Sequence, residues 1–298
     1  MRGDVVSFER PPRFLMEHVS HPSTAPSSSM QRALTAAVGT PIILAGVFLL
    51  TGAWFFLFTA LFITWAALEY VGIVRSRAPH APLAVLLVLV PAAALTMTLS
   101  MDPDRAQQIL MAFGSFLSVG LGSIVLLSRT PLDEAIESLG ILGFGLPYFA
   151  VPLASIYRLQ HTDPWLVFLL LAIVWLGDTA AFFVGRRFGY HKLAPTISPK
   201  KSWEGAAAGF VTSVLAAALW GIWRLGRLEP SLLLLAAAVA AAAQIGDLVE
   251  SMIKRGVGVK DSGSVLPGHG GVLDRCDALL FAAPVLQLGA WLLPGLAR

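Results

Sequence analysis

Long apolar runs dominate the chain, separated by short polar segments at fairly regular intervals. The first apolar block, Ala33 to Val74, is too long for one membrane crossing, and Thr51-Gly52 divides it into helices near 34–50 and 53–74. Further apolar helices are predicted near 83–100, 107–127, 138–157, 165–186, 205–224, 231–250 and 278–295. Each reaches the ~17–20 residues that a helix needs to cross bilayer hydrocarbon. The pattern predicts an all-α, polytopic integral membrane protein of about nine transmembrane helices. Pro147 and Pro152 fall inside the fifth helix, which a bundle tolerates where neighbours satisfy the freed carbonyls. The eighth is alanine-rich, which permits close helix approach. The segment Tyr190 to Glu204 reads as a polar loop. No internal repeat is visible.

Composition agrees with the pattern. Hydrophobic residues make up 56% of the 298 positions and mean hydropathy is +0.73, well above a soluble domain. The net charge of +3 does not point to nucleic acid, because basic excess in such a chain follows from the positive-inside rule. With nine spans, the N-terminus and the loops after even-numbered spans share one side. Of the 21 lysines and arginines, only Arg105, Arg158, Arg224, Arg227 and Arg298 fall on the other. The N-terminus and the two large polar loops are therefore expected in the cytoplasm. Residues 1–31, rich in proline and serine, read as a flexible cytosolic tail without a cleavable signal pattern; His18 and His21 within it read as solvated. Residues 32–160 form an N-terminal group of about five spans, and residues 161–298 a C-terminal group of about four with the large polar loops. A single cysteine, Cys276, excludes internal disulfides. Glu69, near the end of the second span, is read as an interfacial anchor in preference to a partner for a basic group.

The stretch from Gly246 to Asp277 stands apart from this apolar background. It gathers Asp247, Glu250, Lys254, Arg255, Lys260, Asp261, His269, Asp274, Arg275 and Asp277 in a chain with 13% charged residues. Asp247, Glu250, Ser251 and Lys254 follow at i, i+3, i+4 and i+7, which puts them on one helix face. Gly256, Gly258, Gly263, Gly268, Gly270 and Gly271 with Pro267 then mark a loop. Carboxylates, lysines and glycine amides together suit a polyphosphate carried with a divalent cation. Asp247 and Asp274 are candidates to hold Mg²⁺. Lys254, Arg255 and Lys260 can neutralise phosphate, and the turn at Gly268-His269-Gly270-Gly271 can aim amides at it. Membrane-surface anchoring accounts for a lone Lys-Arg pair, but it requires neither the carboxylates nor the turn.

Two further segments carry charge. Asp178 lies within the sixth span, where a charge costs at least ~2.5–3.5 kcal/mol, so it is a functional candidate or a partner for a neighbouring cation. The loop 197–205 offers Ser198, Lys200, Lys201, Ser202 and Glu204; its plainer reading is a basic cytoplasmic loop with Ser202 capping the next helix. No Walker A pattern is present, and GVGVKDSG lacks the strand and spacing of a dinucleotide fingerprint.

These residues together resemble a known family. Ser251, Lys254-Arg255, Lys260-Asp261, Pro267-x-His269-Gly270-Gly271 and Asp274-Arg275-x-Asp277 are similar to the signature of phosphatidate cytidylyltransferases (CDP-diacylglycerol synthases). Gly177-Asp178-Thr179, the loop Ser198-Pro199-Lys200-Lys201-Ser202-Trp203-Glu204-Gly205 and Arg32-x-x-Thr35-Ala36 also match that family. The close match covers roughly 175–280. Cys276 departs from it, standing where a larger aliphatic residue or threonine is usual, and a thiol packs there readily.

The resemblance implies Lys254, Arg255, Lys260, Asp261, His269, Arg275 and Asp277 in catalysis. It implies Ser198, Lys200, Lys201, Ser202, Glu204, Ser251, Gly270 and Gly271 in substrate binding, and Asp247, Asp274 and Asp178 as ligands of Mg²⁺ with room for a second cation. It further implies CTP and phosphatidate as substrates, a place among the lipids of a bacterial inner membrane, and dimerisation. A CTP-dependent lipid kinase shares these polar needs but transfers the γ-phosphate. A secondary transporter would place its charges deep at broken helices, and only Asp178 fits that pattern.

Overall fold

The computed structural model describes residues 28–99, 119–263, 265 and 270–296. Nine α-helices are defined in this part: α1 (Ser28–Leu49), α2 (Gly52–Val74), α3 (Leu86–Leu99), α4 (Leu121–Leu127), α5 (Leu132–Thr162), α6 (Pro164–Phe188), α7 (Trp203–Leu225), α8 (Pro230–Gly256) and α9 (Leu273–Leu292). A 3₁₀ turn, Leu83–Val85, leads into α3. The fold is that of an all-α membrane protein. Among the described residues five helices, α2 and α5 to α8, are long and apolar enough to cross a bilayer, and the apolar segments Ala37–Leu49 and Leu83–Thr98 are shorter. Most of the expected fourth span lies outside the described residues.

Helix α2 shows why the apolar runs are membrane helices. Ala60, Ile63, Ala67, Tyr70 and Val74 face the protein, while Trp54, Leu57, Leu61, Trp65 and Leu68 stay exposed on the other side. A helix that is apolar on its outward face as well needs lipid there. Two apolar clusters hold the bundle. One joins α2, α3, α4 and α5 to the start of α9; the other joins α6, α7, α8 and α9 to Val47, Phe55, Ile156 and Leu159. Thus α2, α5 and α9 belong to both.

The closest packing is between α6 and α7. Gly177, Ala181 and Gly185 on α6 meet Gly205, Gly209 and Ser213 on α7, two small-residue stripes at a spacing of four that let the backbones touch. A Cβ at Gly209 would stand 2.8 Å from the Gly177 carbonyl oxygen. Ser213 Oγ donates across the seam to the Ile173 carbonyl at 2.7 Å. At the far end Asp163 Oδ1 accepts from Trp165 N at 2.9 Å, capping α6, and its Oδ2 pairs with Arg224 Nη2 on α7 at 2.9 Å.

Three expectations change in detail. The segment read as a polar loop contains an antiparallel hairpin, β1 (Lys192–Ala194) and β2 (Ser198–Ser202), with Lys192 opposite Ser202 and Ala194 opposite Ser198. Asp274, Arg275 and Asp277 sit in the first turns of α9 and not in the glycine loop. Glu69 is no interfacial anchor: it is buried and accepts backbone N–H groups of the 272–273 segment, with no ion pair to it among the described residues.

The α6–α7 seam predicts the response to size. Gly209→Leu should lower the detergent melting temperature by several degrees, because overpacking a close seam costs about 1–3 kcal/mol. Gly140→Ala, in α5 with open space around it, should be neutral or slightly stabilising.

Candidate active site

The polar segments converge on one cavity of about 1220 Å³ lined by α6, the hairpin, α7, α8, the loop that follows it and α9. Each wall is set by local sequence. Helix α8 ends as a continuous helix through the charged face, so Asp247, Glu250 and Lys254 rise along one side of it. Ser202 caps α7, its Oγ accepting from Gly205 N at 3.2 Å, which fixes the strand–helix junction that carries Lys200 and Lys201. Gly270, at φ +83°, turns the loop back into α9, a conformation that favours glycine.

Ligand oxygens of Asp247, Glu250 and Asp277 lie within 4.8 Å of one another. Two cations hold the cluster in place. Lys254 Nζ sits 2.6 Å from Glu250 Oε2 and 2.6 Å from Asp274 Oδ1. Lys201 Nζ reaches Asp247 Oδ2 at 2.6 Å from the hairpin. Glu250 is 1% exposed, and its Oε1 has no hydrogen-bond partner among the described residues. A buried carboxylate oxygen without a donor beside two further carboxylates has the composition of a hard-cation site. The residues present therefore fit a divalent cation, with Asp247, Glu250 and Asp277 to hold it.

Asp274 has a different environment. Besides Lys254, it accepts Gly271 N at 2.8 Å and Ser262 N at 3.2 Å through Oδ2. Its oxygens are engaged by the loop and by the lysine, so it organises the wall next to the cluster. Asp178 enters the cavity from α6 on the side of Asp247.

Most of the residues singled out in the sequence meet here. Lys200, Lys201, Ser202, Lys254, Lys260, Asp261, Gly270, Arg275 and Asp277 all line the cavity, with Asp178, Asp247 and Asp274. Others stand behind it. Arg255 is exposed and donates to the carbonyls of Ile197 at 3.3 Å and Val259 at 2.9 Å, tying the hairpin tip to the loop after α8. Glu204 accepts from His191 N at 3.2 Å and lies 2.6 Å from His191 Nδ1, bracing the base of the hairpin. Ser198, Ser251 and Gly271 are not among the lining residues. His269 lies outside the described residues.

Four polar lining residues escape the motif-based reading: Glu250, Arg186, Lys192 and Gln244. The signal for Glu250 is present, three residues after Asp247 on one helix face, but burial is what separates it from a solvated acid. Arg186 and Lys192 stand outside the motifs and join the cavity through α6 and the hairpin. Gln244 is fixed by its amide, which donates to the Ala206 carbonyl at 2.9 Å.

Comparison with known proteins bears on this arrangement. A sequence model of the cytidylyltransferase family matches residues 30–293. A phosphatidate cytidylyltransferase of Pseudomonas aeruginosa is 36% identical over 275 residues, covering 88% of this chain and 96% of the relative. Those of Haemophilus influenzae and Brucella suis are 41% identical over 168 residues and 44% over 157, covering 53% and 48% of this chain and 57% and 54% of their own lengths. The family match runs from α1 into α9 and so includes every element that lines the cavity. The chain belongs to the cytidylyltransferase family.

Proposed function

We propose that the chain is a phosphatidate cytidylyltransferase, which joins CTP to phosphatidate to give CDP-diacylglycerol and pyrophosphate. The observation that carries this reading is the cavity itself, where an acidic cluster faces lysines and arginines at the ends of apolar helices. Lys192, Lys200, Lys260 and Arg275 line it and enter no ion pair among the described residues. Such cations suit two anionic substrates that must be brought together.

The chemistry requires little beyond that. Phosphatidate is an anion at neutral pH, so its phosphate oxygen attacks the α-phosphorus of CTP without a general base. The new P–O bond forms as the bond to the β-phosphate bridging oxygen breaks, and pyrophosphate departs with the electron pair. Lys200, Lys260 and Arg275 offset the charge on the phosphates, while the Lys201–Asp247 contact sets the distance between hairpin and acidic cluster. Mg²⁺ held by Asp247, Glu250 and Asp277 would supply charge neutralisation at the phosphate oxygens.

The charge distribution along the sequence supports nine spans with the cavity at the cytoplasmic face of a bacterial inner membrane, where CTP is available. The phosphatidate headgroup would then reach the site from the adjoining leaflet.

The activity is tested with CTP labelled at either the α- or the γ-phosphate, in liposomes containing phosphatidate. The α label should enter the lipid in a Mg²⁺-dependent, EDTA-sensitive manner and the γ label should leave as pyrophosphate. Lipid carrying the γ label would instead identify a kinase.

The hairpin lysines give a second expectation. Lys200→Gln and Lys201→Gln should insert normally, and at least one should lose about ten- to hundredfold in kcat/KM by removal of a charge-assisted contact. Lys→Arg should be only partly tolerated, since a planar fork does not replace a compact ammonium. Two variants with unchanged kinetics would contradict a part for either lysine in substrate binding.

For topology, a cysteine replacing Ser198 in a Cys276→Ser background should react with impermeant maleimide only from the cytoplasmic side. One replacing Leu228, exposed between α7 and α8, should react only from the opposite side. The reverse result would contradict the orientation.

A further inference from the structure

Helix α9 carries Asp274 and Asp277, yet its own N-terminus lacks a local cap: Val272 offers no side-chain acceptor to the first helical amides. Such amides need a partner when they are buried. Glu69, about two hundred residues earlier at the end of α2, supplies it. Its Oε1 accepts from Val272 N at 3.0 Å and its Oε2 from Leu273 N at 2.8 Å and Ser262 Oγ at 2.9 Å. Glu69 is 9% exposed. Negative charge is favourable at this end of a helix.

The surrounding loop is shaped to this carboxylate. A Cβ at Gly263 would stand 2.7 Å from Glu69 Oε1, and one at Gly271 would stand 2.2 Å from Oε2. The segments that Glu69 holds from behind are the ones that address Asp274 in front. Ser262 N and Gly271 N both donate to Asp274, Asp274 pairs with Lys254, and Lys254 pairs with Glu250. Asp277 follows one turn along α9 and completes the acidic cluster.

We propose that Glu69 is a positioning residue: by fastening Ser262 and the start of α9 at Val272 and Leu273, it sets the place of Asp274 and Asp277 in the site. Glu69 itself does not line the cavity. The N-terminal helices thereby act on the site, through α2, as well as crossing the membrane. Only the kinetic arm of the test below rests on the cytidylyltransferase reading.

The test uses the full chain in liposomes and two readouts. Cys276, the one cysteine of the sequence, lies in the first turns of α9 and reports on their opening through its rate of reaction with a maleimide. The second readout is the Mg²⁺ concentration for half-maximal turnover. Glu69→Gln keeps the shape but exchanges an acceptor oxygen for an amide nitrogen that cannot accept. It should raise the labelling rate at least about fivefold through local opening. It should also raise the half-saturating Mg²⁺ about tenfold, with excess Mg²⁺ restoring part of kcat. Ser262→Ala, which removes one donor and leaves the carboxylate, should move both readouts in the same direction by about two- to tenfold. It carries the test if Glu69→Gln fails to fold. Unchanged labelling in a folded variant would overturn the proposal, and so would faster labelling with an unaltered Mg²⁺ requirement. If the wild type makes no CDP-lipid, the activity reading fails, and the labelling rates alone decide whether Glu69 fastens α9.

Discussion

Three carboxylates within 4.8 Å of one another, beside a bilayer, impose the condition that the rest of the site meets. Two unit charges about 4 Å apart repel by about 4 kcal/mol at an effective dielectric of about 20. Cations fixed beside such a cluster offset that repulsion. Lys254 lies between Glu250 and Asp274, and Lys201 closes on Asp247 from the hairpin. Neither lysine is free to move with a substrate. Their task is to hold the carboxylates together, and the cations without such partners remain for phosphate.

This division explains the architecture around the cavity. The α6–α7 seam brings two backbones into contact through glycines, so the hairpin that joins these helices starts from a rigid base. Arg255 ties the hairpin tip to the loop after α8, and Glu204 braces its foot through His191. Helix α9 is fastened from behind by Glu69. Elements distant in the chain therefore fix a small set of charges. A water-soluble nucleotide and a membrane lipid can share this place because the charges lie at the ends of apolar helices.

Much of this could be read in the sequence. Apolar runs located the long helices, since outward faces that meet lipid leave no ambiguity of period. The face shared by Asp247, Glu250 and Lys254 follows from helical spacing. What spacing could not supply was the partner of each charge. Spacing alone reads Glu69 as an anchor and Asp274 as a metal ligand; Val272, a partner of Glu69, lies 203 residues on, and the partners of Asp274 include Ser262 and Lys254, 12 and 20 residues before it. Arg255, expected at phosphate from its place in the motif, donates to two backbone carbonyls, one of them on the hairpin 58 residues earlier. The hairpin was hidden because its two strands are only three and five residues long.

The central claim is that Asp247, Glu250 and Asp277 form the cation site, and Mn²⁺ binding to the nucleotide-free protein tests it most directly. Electron paramagnetic resonance of the purified chain should show bound Mn²⁺ that is lost in Asp277→Asn and kept in Asp261→Asn, a carboxylate of the same cavity outside the cluster. Binding that survives Asp277→Asn, or that disappears equally in both variants, would contradict the account.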